Sequence, residues 1–246
     1  RTHNPEFTEL EAYAAYWDYN DMMTFTENLF EKIALDLYGT TKIHMQKEDV
    51  LHEIDVKTPW IRMSMKDSLK TYANINVDLL SVEEMRDLLV NKAHLPEKEM
   101  NKARRGELIA KLFEEFAEKH LIQPHHIIDH PIETTPLCKL HRNPDLKEER
   151  FVERFETFIG ASEFCNSYTE LNDPELQRKL LVEQAQKKAD GDEEACPLDE
   201  EFIESVCQGM PPAGGLGMGV DRMVMLFLEA YSIRDVLFFP IMKPED

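Results

Sequence analysis

The sequence predicts an α+β fold in which a mainly antiparallel β-sheet is flanked by helices. Three observations support this fold class. Segments with strand-type alternation are not separated by regular crossover helices, several other segments carry apolar residues at helical spacing, and 246 residues with 42% apolar content can bury one sizeable core. We therefore expect one large domain with insertions.

The first strand is predicted where Phe7, Glu9, Glu11 and Tyr13 fall two positions apart, because an extended chain points such residues to one face. The segment that follows has helical periodicity and reaches a glycine stop at Gly39. These patterns predict a strand that presents two carboxylates and two rings, backed by a long helix.

Residues 40–126 read as a helical insertion, or side wall, within the domain. The stretch "TPWIRMSM" predicts a short strand, and Ser81 with Glu84 predicts a capping box on a first helix. Pro96 is expected to open a second helix that continues through the apolar residues beyond position 107. The stretch "HHIIDHPIETTPL" then predicts a buried strand and a loop.

A hairpin is predicted from two alternating segments, 151–159 and 163–171, with Gly160 at the turn. Asp173 and Pro174 form an N-cap and first-turn pair for the next helix. A short amphipathic helix and a glycine-rich strand follow, so the strands of this half are expected to pair antiparallel.

Composition excludes several classes of function. The net charge of −20 disfavours a protein that coats nucleic acid, because the chain would repel a phosphate backbone except at a small local site. The four cysteines lack metal-type spacing and read as free thiols. No apolar run is long enough to span a bilayer and no signal peptide is recognisable, so we expect a cytoplasmic protein without a membrane partner.

The stretch "GGLGMGVDR", residues 214–222, carries the strongest local signal. It does not fit a dinucleotide fingerprint, because the sixth position counted from Gly215 is Val220, and it has no phosphate-loop lysine. Glycines at every second position leave one strand face bare, on which a flat ligand can lie. Arg222 follows, and its planar guanidinium can bind phosphate oxygens in pairs. The alternative interpretation is a glycine-rich bend packed against a neighbouring helix.

This stretch, followed by "MVMLFLEA", resembles the third signature motif of class II aminoacyl-tRNA synthetases. The opening "RTHNPEFTELEAYAAYWDY" resembles the second half of their second motif as it occurs in lysyl-tRNA synthetases. "RFETFIGASEFCNSYTELNDPELQ" resembles the lysine-specific strand pair, and the closing "LFFPIMKPED" resembles the end of the family. The order of the motifs also agrees, and the eukaryotic cytosolic type is the most similar. The resemblance implies the class II catalytic fold over residues 1–246.

The resemblance also implies an ATP site. Phe7 would stack on adenine, Arg222 would bind the terminal phosphate, and the glycines would form the floor of the pocket. The full set implied for ATP is His3, Asn4, Phe7, Gly217, Gly219 and Arg222.

Two carboxylates, Glu156 and Glu163, are implied to hold Mg²⁺ across the phosphates and, with Arg222, to form the catalytic set. Hard oxygen ligands in small number suit this ion. The predicted hairpin brings the two carboxylates close together, where they require a cation between them.

A lysine pocket is implied on the neighbouring strands. It consists of Glu11, Tyr13, Asn166, Tyr168 and Glu170. Two carboxylates and two phenols would be costly to bury together unless a cation entered, and the ammonium group of lysine is such a cation. In the related aspartate enzyme the position that matches Glu170 is basic, which argues against an acidic substrate here.

The implied reaction is ATP-dependent activation of L-lysine to lysyl-adenylate, followed by transfer to tRNA(Lys), in a homodimer in the full-length protein. The chain is expected to begin inside the second motif, to lack the first motif and the N-terminal anticodon-binding domain, and to be inactive alone. Two alternatives stay open. One is a synthetase-like protein that binds ATP or lysine without catalysis or acts as a scaffold, and the other is a related class II enzyme for aspartate or asparagine.

Overall fold

The computed structural model describes residues 4–47, 50–189 and 195–240. The strands there are β1 (Glu9–Ala15), β2 (Lys42–Lys47), β3 (Val50–Asp55), β4 (Ile61–Ser64), β5 (His125–Pro131), β6 (Phe151–Ile159), β7 (Ser162–Thr169) and β8 (Ala213–Gly219). The helices are α1 (Tyr19–Tyr38), α2 (Met65–Ala73), α3 (Val82–Asn91), α4 (Glu97–Met100), α5 (Arg105–Phe116), α6 (Pro144–Glu148), α7 (Pro174–Ala189), α8 (Glu200–Cys207) and α9 (Val220–Phe227).

Six strands form the main sheet, in the order β1-β8-β7-β6-β5-β4. All neighbours pair antiparallel except β4 and β5, which are parallel and are connected through helices α2 to α5. Strands β2 and β3 form a separate antiparallel hairpin. The predicted α+β fold with a mainly antiparallel sheet is confirmed.

The two faces of the main sheet are covered by different cores. Phe30 of α1 packs behind the sheet against Phe164, with ring centroids 6.1 Å apart. Phe113 of α5 packs on the front against Phe158, with centroids 5.5 Å apart. The helices between β4 and β5 therefore cover one end of the front face, and the opposite end, over β7, β8 and β1, stays accessible.

A β-bulge interrupts the pairing of β6 with β7. Thr157 pairs with Cys165 and Phe158 pairs with Glu163, so Phe164 is the additional residue and points into the rear core. The hairpin turn next to the bulge is tight, since Gly160 and Ala161 have φ values of 58° and 51°. Because side chains alternate along a strand, one extra residue changes which face the following residues occupy.

The predicted helix boundaries agree with the structure at three places. Gly39 ends α1 in the left-handed conformation at φ 67°, Ser81 and Glu84 form the capping box of α3, and the Asp173 carboxylate accepts from the first backbone amides of α7. Local capping chemistry alone accounts for each of these boundaries.

The helix predicted to open at Pro96 and run past residue 107 is wrong. Pro96 caps only the short helix α4, and the apolar residues lie on a second helix, α5, that starts at Arg105. The Glu107 carboxylate accepts from the Arg104 backbone amide at 2.8 Å, which starts the new helix there.

Residues 40–126 are only partly helical. The range starts with the β2–β3 hairpin and contributes β4 to the main sheet before its helices begin. Its status as an insertion therefore stays a prediction. In the described ranges, no helix has the length and apolar character that crossing a membrane requires.

Candidate active site

Two rows of facing residues cross the front of the sheet from β1 through β8 and β7 to β6. The first row is Tyr13, Gly215, Tyr168 and Arg154, and the second is Glu11, Gly217, Asn166 and Glu156. In each row the β8 member is a glycine, so the side chains of β1 and β7 face each other across bare backbone. The pairing thus brings most of the sequence-predicted pocket residues onto one surface.

Gly215 is the position where the absence of a side chain matters most. A Cβ added there would lie 1.9 Å from Oε1 of Glu170 and 3.0 Å from Cε1 of Tyr13. The Glu170 carboxyl group therefore lies directly over the glycine backbone. At Gly217 an added Cβ would lie 2.9 Å from Oε1 of Glu9, and at Gly219 its nearest neighbours would be Arg222 side-chain atoms at 3.9 Å.

Glu170 follows β7, and its Oε1 atom is buried without a hydrogen-bond partner in the described part of the chain. Burial raises the pKa of this carboxyl group to about 7. The neighbouring Tyr168 phenol also has a raised pKa, first because it is buried and then because of the Glu170 charge. A buried acceptor of this kind costs free energy until a donor pairs with it, and a cationic donor pairs best.

Glu11 and Tyr13 stand at the open margin of the same surface. The Tyr13 side chain is 66% exposed, and its pKa is raised by partial burial and then by the charges of Glu11 and Glu170. β1 is the edge strand of the sheet, so its front face stays accessible. These two residues lie at the exposed edge of this surface, and Glu170 lies at its buried end.

Glu156 and Glu163 are brought together by the β6–β7 hairpin, as predicted. Burial and then the neighbouring Glu156 charge raise the pKa of Glu163 to about 7. The pKa of Glu156 is also raised, mainly by burial. Two adjacent carboxylates with raised pKa values form a site that a bound cation stabilises.

This donor set fits Mg²⁺, which is commonly held by one or two protein carboxylates together with substrate phosphates. Among the described residues no group of three or more His, Cys, Asp or Glu side chains could hold a metal ion by itself. The pair Glu156 and Glu163 would therefore bind the ion jointly with phosphate oxygens rather than as a closed protein cage.

Two arginines bring positive charge to these carboxylates. Arg222, on α9, donates from Nη1 to the backbone carbonyl of Glu163, and its charge lowers the Glu163 pKa. Arg154, on β6, donates from Nη2 to Oε1 of Glu156 at 2.6 Å. The start of α9 is fixed to the start of β1 by a hydrogen bond of 2.7 Å from the Thr8 amide to Oδ2 of Asp221.

A cavity of about 760 Å³ opens beside this group. Glu118, Glu156, Glu163, Arg154 and Arg222 contribute to its lining. Its volume is within the range that small-molecule sites occupy.

Two lining residues were missed by sequence reasoning. Arg154 lies two positions before Glu156 on the same strand face, so alternation along β6 could have identified it. Glu118 comes from the turn after α5, and its pKa is raised by burial and then by the charges of Glu114, Glu156 and Glu163. No local pattern marks Glu118, because the packing of α5 on the sheet brings it there.

The predicted adenine-binding residues are the least determined part of the site. His3 lies outside the described residues. Asn4 donates from its side chain to the Glu6 carbonyl at 2.5 Å, and the Phe7 ring is 60% exposed. Both precede the paired residues of β1, so their contact with adenine stays a prediction.

Comparison with known proteins agrees with this geometry. The family model "tRNA synthetases class II (D, K and N)" matches residues 1–243. The chain is 53% identical to the lysine–tRNA ligase of Chlamydia pneumoniae over 249 aligned positions, which cover 100% of the chain and 47% of that protein. It is 54% identical to the lysine–tRNA ligase of Chlamydia caviae, over 99% of the chain and 46% of that protein.

A more distant lysine–tRNA ligase, from Clostridium kluyveri, is 44% identical over 98% of the chain and 47% of its own length. The chain thus spans about half the length of the curated relatives it matches. These three relatives are bacterial, and the predicted eukaryotic type stays a prediction. The family model and the relatives together cover the whole sheet and both glutamate sites, and on that basis the chain belongs to the class II tRNA synthetases of the aspartate, lysine and asparagine group.

Proposed function

We propose that this chain carries the ATP and L-lysine sites of a lysine–tRNA ligase. The observation that carries the proposal is the Glu170 carboxyl group, which lies over Gly215 with a buried oxygen that has no hydrogen-bond partner in the described part of the chain. The ε-ammonium group of lysine supplies both the charge and the donor that this oxygen lacks. The relatives that match the chain are named lysine–tRNA ligases, which supports the same substrate.

In the proposed reaction the α-carboxylate of lysine attacks the α-phosphorus of ATP. A new P–O bond forms, the bond to the leaving oxygen breaks, and pyrophosphate departs with its electron pair. No protein nucleophile takes part, so the protein contributes positioning and electrostatic stabilisation. In the second step a terminal ribose hydroxyl of tRNA(Lys) attacks the activated carbonyl carbon and AMP departs.

Three groups of residues in this chain have different roles in the first step. Glu170, Tyr168 and Asn166 orient the amino acid, and the glycines of β8 let the nucleotide lie close to the backbone. Arg222 neutralises charge on the terminal phosphate. Glu156 and Glu163 would hold Mg²⁺, which supplies charge neutralisation to the phosphate oxygens when bound.

The reaction also requires a cellular compartment and an oligomeric state. We assign it to the cytoplasm, where tRNA and ATP are present, and to a homodimer of the full-length protein. Size-exclusion chromatography with light scattering on that protein tests the second assignment, since a monomeric mass contradicts it.

An aspartate-activating enzyme is disfavoured by the negative charge of the predicted amino-acid pocket. The Glu11 and Glu170 carboxylates would leave an aspartate side chain facing like charge at short range. A non-catalytic binding protein is distinguished by an assay of the full-length protein, because only an enzyme exchanges radiolabelled pyrophosphate into ATP in the presence of lysine.

The test is calorimetric titration of the chain with L-lysine, L-norleucine and L-aspartate. Norleucine keeps the aliphatic chain but lacks the ammonium group, so we expect binding of lysine only. Glu170→Gln should weaken lysine binding by about 10- to 100-fold, as expected when one partner of a charge-assisted contact is lost. Glu175→Gln, on the exposed start of α7, is the matched control. Equal affinity for lysine and norleucine would rule out the proposal.

A further inference from the structure

Arg154 uses all three nitrogens of its guanidinium group on different partners. Nε donates to Oδ1 of Asn166 at 2.9 Å, Nη2 donates to Oε1 of Glu156 at 2.6 Å, and Nη1 donates to the Thr134 carbonyl at 3.5 Å. The side chain is only 14% exposed. One residue thus touches the proposed metal-binding carboxylate and the proposed lysine pocket at the same time.

The contact with Asn166 fixes the orientation of its amide group. Because Arg154 can only donate, the amide oxygen must face Arg154, and the Nδ2 group then points to the other side. Nδ2 of Asn166 donates no hydrogen bond within the described ranges. Asn166 therefore presents two N–H donors on the front face, where an oxygen of a bound ligand can accept them.

The contact with Glu156 has a second effect. Glu156 is partly buried next to Glu163, and without a neighbouring cation the two carboxylates repel each other. Arg154 occupies one oxygen of Glu156 and so restricts the directions from which the other can accept a ligand.

We propose that Arg154 is a positioning residue that couples the two halves of the site, holding Asn166 as a donor to the substrate amino acid and Glu156 in the orientation that receives Mg²⁺. The inference rests on the proposed function and adds a residue and a role to it. An arginine is required because a lysine has a single donor centre and cannot reach Asn166 and Glu156 together in this fixed geometry.

The coupling is tested with double-mutant cycles measured by calorimetry rather than by turnover. The probes are L-lysine, and Mg²⁺ with a non-hydrolysable ATP analogue. Arg154→Met should weaken binding of both probes by about tenfold, the effect of losing one charge-assisted hydrogen bond in each half. Asn166→Asp keeps an oxygen for Arg154 but removes the donor, so it should weaken lysine binding alone.

The decisive result is non-additivity. If Arg154 acts through its partners, Arg154→Met adds little to Asn166→Asp in lysine binding, and little to Glu156→Gln in nucleotide binding. Arg154→Lys should retain one of the two affinities and lose the other. Arg178→Met, an exposed arginine paired with Glu200, is the matched control and should change neither.

Additive losses in both cycles, or unchanged affinities in Arg154→Met, would overturn the inference. If Arg154→Met does not fold, Arg154→Lys decides between the outcomes, since retention of both affinities would equally overturn it. If the unsubstituted chain binds neither probe, that result contradicts the proposed function and, with it, this inference. If the unsubstituted chain binds both probes but the losses are additive, only the inference about Arg154 is contradicted.

Discussion

The carboxyl group of Glu170 lies over the backbone of Gly215, so closely that a Cβ on the glycine would stand 1.9 Å from Oε1. No other residue type can occupy position 215 without moving that carboxylate. The glycine on one strand thus determines the position of the acid that follows the next strand. This relationship gives the first prediction.

Gly215→Ala is expected to displace Glu170 and to weaken lysine binding at least tenfold. The free energy of unfolding should change by no more than about 1–3 kcal/mol, as for other overpacked positions. Calorimetry and chemical denaturation measure the two effects. Gly219→Ala is the control, because its new Cβ would meet only atoms at 3.9 Å, and its lysine affinity should stay unchanged. Wild-type lysine affinity in Gly215→Ala would contradict the placement of Glu170.

The second prediction concerns pH. The Glu170 pKa is raised to about 7, so the carboxyl group is protonated below that pH and its charge develops as pH rises through it. Lysine affinity should therefore increase as pH rises through about 7 and then level off, since only the charged form pairs with the ammonium group. Titrations across this interval measure the profile. Glu170→Gln should remove this part of the pH dependence.

The contribution of Glu170 to the stability of the ligand-free chain should fall as pH rises, whereas lysine affinity increases. A carboxyl group whose pKa is raised on folding destabilises the native state most at pH values above its folded pKa, and the penalty disappears below its unfolded pKa. Glu170→Gln is therefore expected to stabilise the ligand-free chain by about 1–3 kcal/mol at about pH 8 and by almost nothing at about pH 4. Denaturation curves at the two pH values check this, and equal effects at both would count against it.

The third prediction concerns Mg²⁺. Glu163→Gln removes one of the two neighbouring carboxylates of the β6–β7 hairpin, so Mg²⁺-dependent binding of a non-hydrolysable ATP analogue should weaken by about tenfold. Lysine affinity should stay within about twofold, because Glu163 is not in the lysine rows. Glu148→Gln, on the exposed α6, is the control. Removal of Mg²⁺ with EDTA should abolish the difference between Glu163→Gln and the unsubstituted chain.

The fourth prediction concerns the β-bulge. Phe164, its additional residue, is 3% exposed and packs against Phe30. Phe164→Ala should lower the free energy of unfolding by about 3–5 kcal/mol, the usual cost of emptying a buried aromatic site. Leu79→Ala, at a 79% exposed position, should cost less than about 0.5 kcal/mol in the same denaturation experiment. A small loss at Phe164 would mean that the bulge is not anchored by the rear core.

Much of the fold could be predicted because its signals are local. The alternation of Glu9, Glu11 and Tyr13 and the capping residues around α1, α3 and α7 act within a few positions of one another, and the structure confirms them. The helix assigned to Pro96 failed for a related reason. The Glu107 carboxylate accepts from the Arg104 backbone amide and so starts α5 separately from the short helix at Pro96.

The sequence by itself determined which chemical groups this protein has and which strand faces they occupy over short distances. Tertiary structure alone decided how those faces combine. Strict alternation along β7 would place Glu163 and Asn166 on opposite faces, and the additional residue Phe164 puts both on the front. In the same way, β8 lies between β1 and β7 although it follows them by many residues, and only that order sets Glu170 over Gly215. Burial and close approach depend on such distant pairings, so the raised Glu170 pKa and the partners of Arg154 could not be read from any local pattern.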